Sequence, residues 1–223
     1  MKAIRSIPWV ALFSIAFAFV EASVVVYLRA IYYPEGFVLP LKAISNFHLG
    51  VELTREVGTM IMLGTIGVLA GRTRWERVSW FLIAFGVWDI FYYVWLKLVL
   101  DWPSSVFDWD ILFLIPVPWI GPVIAPVLIS LFLIIAGILI VQREQQAGVF
   151  RPPKLAWSLA VAGTVLILVS FMMDLDATLR LQLPKPYRYE FLVGGFLLYV
   201  AGMVVSFRRK PRDLHGSSTE SKQ

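Results

Sequence analysis

Long apolar runs, broken by short polar blocks, set the pattern of this chain. Six of them, at 8–28, 49–70, 78–100, 122–141, 155–173 and 191–207, are close to the roughly 20 residues a helix needs to cross a bilayer core of about 30 Å. The pattern predicts an all-α, polytopic membrane protein: a six-transmembrane-helix bundle forming one domain over 1–209. A polar tail at 210–223, rich in Ser and charge, reads as disordered. The second span is the weakest, because its uninterrupted apolar part, 57–70, is too short alone and needs its charged outer turns to reach the surface.

The N-terminus also resembles a signal peptide, with Lys2 and Arg5 followed by an apolar stretch that has Ala16 and Ala18 near its end. Hydrophobicity resumes at Val24 with no polar cleavage region, so the segment is read as a retained span. Between the third and fourth spans, 108–121 is Pro-rich. Residues 111–117 are too short to cross, and each of Pro116, Pro118, Pro122 and Pro126 lacks an N–H and would disturb a helix. We expect a hairpin-like outer insertion here, built from a short outer helix or re-entrant piece and a bend.

Composition agrees with this picture. The chain is 59% hydrophobic with mean hydropathy +0.76, against about 45–50% apolar in soluble domains. Its net charge of +5 comes from residues in turns and tail, so it points to the lipid bilayer as partner rather than to nucleic acid. With the N-terminus inside, thirteen Lys and Arg fall on the cytoplasmic side and six on the other. That asymmetry predicts a plasma (bacterial inner) membrane protein with both termini cytoplasmic. The absence of cysteine excludes disulfides, thiolate metal sites and cysteine nucleophiles.

Charge inside the spans supplies the candidate chemistry. Glu21 lies in the first, Glu52, Arg55 and Glu56 in the second, and Asp89 and Lys97 in the third. Under the expected orientation all sit at middle to outer depth. His48, Glu52 and Glu56 are successive i, i+4 neighbours, with Arg55 and Thr59 beside them, and Asp89, Tyr93 and Lys97 form a second such row with Tyr92 alongside. A charge at the bilayer centre costs about 2.5–3.5 kcal/mol on insertion scales and marks a bundle interior or functional path.

Three arrangements fit these residues. In the first, Arg55 and Lys97 pair with the acids and glue the helices together. In the second, four carboxylates outnumber two cations, unless Arg29 also turns inward. An acid left over needs a proton or a cation to neutralise it, which suits proton or cation handling or small-solute transport. There Glu21, Glu52, Glu56 and Asp89 would bind the ion, Arg55 and Lys97 would tune them, and Tyr92 and Tyr93 would relay or orient. In the third, His48, Glu52 and Glu56 offer a weak metal set for a membrane-embedded enzyme acting on a lipid or isoprenoid. A non-catalytic subunit of a membrane complex is a further alternative. Asp108 with Asp110, and Asp174 with Asp176, read as solvated helix-end pairs. Gly194, Gly195 and Gly202 read as close-packing positions. No cofactor is named by any motif: His48 alone cannot give bis-histidine haem, and no Gly-x-Ser-x-Gly, Walker A or GxGxxG run occurs.

Overall fold

A computed structural model describes residues 2–37, 40, 42–147 and 150–208. The expected tail at 210–223 lies outside them. The described chain is mostly helical: α1 (Lys2–Tyr32), α2 (Asn46–Ala70), α3 (Arg74–Leu100), α4 (Ile124–Ala147), α5 (Lys154–Met172), α6 (Leu175–Leu179) and α7 (Tyr189–Arg208). All but α6 are long and apolar enough to cross a membrane, and they correspond one for one with the six apolar runs. Their outward faces keep large apolar side chains exposed, such as Trp9, Tyr27, Ile61, Leu98, Ile135, Val161 and Leu197.

Local signals fix the helix ends. The Ser45 hydroxyl accepts the His48 N–H at the start of α2. Thr73 does the same for Glu76 at the start of α3, while the Glu76 carboxylate accepts the Arg72 N–H. The second span thus does begin three residues before its predicted limit and carries its charged turns inside α2.

α3 is the hub, packing on α1, α2 and α4, while α5 and α7 pair with each other. The first group shares a core of Val10, Phe17, Leu63, Trp80, Ile83, Trp88 and Val141. A smaller core of Ala125, Ile167, Phe171 and Leu192 joins the α5–α7 pair to the rest. Glycines set two of the close approaches. A Cβ on Gly86 of α3 would stand 2.6 Å from the Ser130 carbonyl of α4, and Gly195 meets the Gly163 carbonyl at 2.8 Å. Gly194 has only ordinary contact at 3.7 Å, so it does not share the packing role expected of its neighbour.

The Pro-rich insertion contains strands, not the short helix expected. β1 (Trp109–Phe113) and β2 (Trp119–Pro122) pair antiparallel, with Asp110 opposite Gly121, Ile111 opposite Ile120 and a bulge between Ile111 and Phe113. Prolines explain the outcome. Pro116 and Pro118 fall in the turn, Pro122 ends β2, and Pro126 sits in the first turn of α4, where its missing N–H breaks no helical bond. The Val123 N–H to Asp108 carbonyl bond (3.0 Å) continues the pairing to the foot of α4.

Candidate functional site

The hairpin lies over the end of the bundle where α1 finishes and α2 begins. Beneath it is a cavity of about 120 Å³, partly open to the exterior, lined by residues of α1, α2, α3 and β1. Glu21, Glu52, Glu56 and Asp89, drawn from three helices, all line it, as do Arg55, Tyr92 and Tyr93. The four carboxylates are buried. Helical spacing explains how α2 contributes: residues 52, 55, 56 and 59 occupy one stripe of its surface.

Arg55 reaches two acids on two helices. It is ion-paired with Glu21 of α1, and its Nη2 and Nε donate to Glu52 Oε2 at 2.5 and 2.9 Å. The Thr59 hydroxyl completes Glu21 by donating to Oε2 at 3.1 Å. This triad ties α1 to α2 and matches the gluing arrangement in part.

Glu56 and Asp89 are held differently. Glu56 accepts the Leu114 N–H on both oxygens, at 2.9 and 3.1 Å, just past the end of β1. Asp89 accepts the Ser130 hydroxyl of α4 on Oδ2 at 2.8 Å. Neither is ion-paired with a Lys, Arg or His among the described residues.

Two cations expected near the acids are placed elsewhere. Lys97 is half exposed and bonds Asp101, at 2.7 Å to the carboxylate and 3.2 Å to the carbonyl. It lies outside the cavity lining, because the turn after α3 brings Asp101 within reach of its long stem. Arg29 does turn inward, but its partner is Asp110 on β1, at 3.1 Å, with its guanidinium 3.7 Å from the Trp102 ring centre and 4.4 Å from that of Phe37.

Asp110 corrects the expectation that it forms a solvated pair with Asp108. It is 4% exposed and lines the cavity. Burial pushes its carboxyl up to about 6, against the opposing pull of Arg29. Asp108 stays at the surface and accepts three bonds from Ser104 and Ser105. A strand sends successive side chains to opposite faces, so Asp110 could point inward once β1 formed. The buried Arg29 was the available signal that an acid was missing from the set. Ser130 carried none, since a lone Ser in an apolar run reads as packing.

The weak metal set is not assembled. His48 is bound to the Tyr32 hydroxyl at 2.5 Å through Nδ1, Glu52 is held by Arg55, and Glu56 by a backbone N–H. Among the described residues no three His, Asp or Glu side chains converge as metal ligands. Asp174 and Asp176 remain near the end of α5, bonded to the Lys185 N–H and to Arg180.

Chemically, the cavity therefore contains a triad in which one guanidinium serves two carboxylates, one buried Arg–Asp pair, and two carboxylates, Glu56 and Asp89, with hydrogen bonds but no ion pair among the described residues. Tyrosines, other aromatic rings and aliphatic side chains such as Val25, Leu28, Ile44 and Ile111 fill its remaining walls. Comparison with protein-family models, curated proteins and solved structures returns no match.

Proposed function

We propose that this chain is a polytopic protein of the bacterial inner membrane, both termini cytoplasmic, that handles protons or cations at the cavity beneath the hairpin. The observation that carries the reading is the state of Glu56 and Asp89. They line the same cavity and neither is ion-paired with a cation of the described residues, Arg55 acting on Glu56 only at longer range while it is bonded to Glu21 and Glu52. An isolated ionised carboxylate in low dielectric is too costly to persist, so each takes up a proton or a cation from outside the protein.

The remaining residues then have separate tasks. The Glu21–Arg55–Glu52 triad fixes the relative position of α1 and α2, and Tyr92 and Tyr93 orient the ion or a water beside it. Arg29 and Asp110 hold β1 over the cavity, which controls entry. A small solute could travel with the ion, since the space exceeds that of a single water, roughly 10–15 Å³ by the same measure. A metal-assisted enzyme is less well supported, because the ligands it needs are each committed elsewhere.

The test is ion flux in liposomes containing the purified protein, read by an internal pH dye and by cation-selective electrodes. Wild type should move protons or a monovalent cation down an imposed gradient. Glu56→Gln and Asp89→Asn should each cut the rate by about tenfold or more, the scale expected when a positioned proton-transfer group is removed. Wild-type rates equal to those of protein-free liposomes, for protons and cations alike, would contradict the proposal.

A further inference from the structure

Asp89 lines a second cavity as well. This one, of about 140 Å³, lies toward α4, α5 and α7 rather than α1 and α2. Its walls are mainly apolar, and five of them are aromatic: Phe85, Phe113, Trp119, Phe171 and Tyr199. The volume is close to the roughly 150 Å³ of a buried apolar cavity that accepts benzene.

The polar groups at this cavity are few and mostly committed. The Thr164 and Tyr199 hydroxyls bond each other at 2.9 Å, and Ser130 donates to Asp89 Oδ2. Two atoms are exceptions: Asp89 Oδ1, which receives no hydrogen bond from the described residues, and the buried Trp119 indole N–H, which has no partner among them. A neutral ring would fill the space but leave that carboxylate without a counter-charge. A small inorganic cation would satisfy the carboxylate but leave its own hydration shell against aromatic walls. An ammonium on a single ring meets both demands, because aromatic faces attract a cation by about 0.5–2 kcal/mol each and the ring displaces no bound polar group.

We propose that the cavity between α3–α4 and α5–α7 binds a lipophilic organic cation of benzylammonium size, its ammonium on Asp89 and its ring among the aromatic walls. The site shares Asp89 with the ion-handling cavity, but binding there does not require ion movement. The two readings can therefore fail separately.

The test uses the full chain in phosphatidylcholine nanodiscs, titrated calorimetrically at neutral pH with benzylammonium and, as the uncharged isostere, benzyl alcohol. Wild type should bind benzylammonium saturably and about tenfold or more tightly than the alcohol. Asp89→Asn should lose that preference while still admitting the alcohol, and Thr164→Phe, which fills the cavity from α5, should lose both ligands. Absence of saturable benzylammonium binding, equal affinity for the two ligands, or an isotherm unchanged by Thr164→Phe would overturn the proposal. If Asp89→Asn does not fold, the wild-type preference decides the matter. Ligand binding without flux in liposomes would remove only the ion-handling reading. Flux without ligand binding would remove only this one.

Discussion

Arg55 settles which of the four helix carboxylates have an ion pair. One guanidinium spans Glu21 and Glu52 on two helices, which leaves Glu56 to a backbone N–H and Asp89 to a hydroxyl. Removing one partner of such a buried set costs about 3–5 kcal/mol, because a charge is stranded. Asp110 allows a sharper test. Burial holds its carboxyl at about 6, above its ordinary 3.8, so the folded state binds the proton more tightly than the unfolded one. Its stabilising contribution is fully present below about 3.8 and is lost as pH rises through about 6. Thermal unfolding of the detergent-solubilised protein should show wild type gaining on Asp110→Asn as pH falls from neutral to 4. Parallel curves would mean Asp110 is not a buried acid. At this scale the sequence exposed the four carboxylates of the apolar helices, because charge stands out in apolar runs. It hid their partners: Lys97 had a nearer acid in Asp101, and Asp110 became an inward group only once a strand had formed.

Helices show the opposite balance of what could be read. Length and apolarity located all six long ones, and the caps at Ser45 and Thr73 follow ordinary rules. The β-hairpin was not legible, since a short apolar run such as Ile111–Val117 is compatible with strand or buried helix, and its prolines mark bends in either. Close helix approach was legible at Gly195 and missed at Gly86, which sits in an unremarked position of α3. Gly86→Ala should destabilise the fold by about 1–3 kcal/mol, because its Cβ would press on the Ser130 carbonyl. It should also slow flux, since moving Ser130 disturbs Asp89. Gly58→Ala is the control. No atom lies within 4 Å of its added Cβ, so it should gain up to about 1 kcal/mol of helix stability. Unfolding midpoints of the two variants in one detergent check both, and equal midpoints would dissociate the α3–α4 contact from stability.

Taken whole, the molecule has a charged half of α1, α2 and α3 and an apolar half of α5 and α7, with α4 and the hairpin between. That division could be read from where ionisable residues fall. The joint between the halves could not, because β1 reaches the acids while β2 meets α5, and neither contact has a sequence period. The proposed orientation places the hairpin on the non-cytoplasmic side of the inner membrane. The chain has no cysteine, so single cysteines at exposed Val106, near the hairpin, and exposed Arg151, at the opposite end, report it directly. A membrane-impermeant maleimide should label Val106→Cys on intact spheroplasts and Arg151→Cys only after lysis. The reverse pattern would invert the topology.

The central claim is that Glu56 and Asp89, unlike Glu21 and Glu52, are exchangeable acids reached from the cavity. Carbodiimide modification followed by peptide mass spectrometry measures this most directly, because the reagent attacks protonated carboxyls in apolar surroundings. The account predicts adducts on Glu56 or Asp89 that diminish as a transported cation is added, with Glu21 and Glu52 protected by Arg55. Adducts confined to Glu21 and Glu52, or none on any of the four, would contradict it.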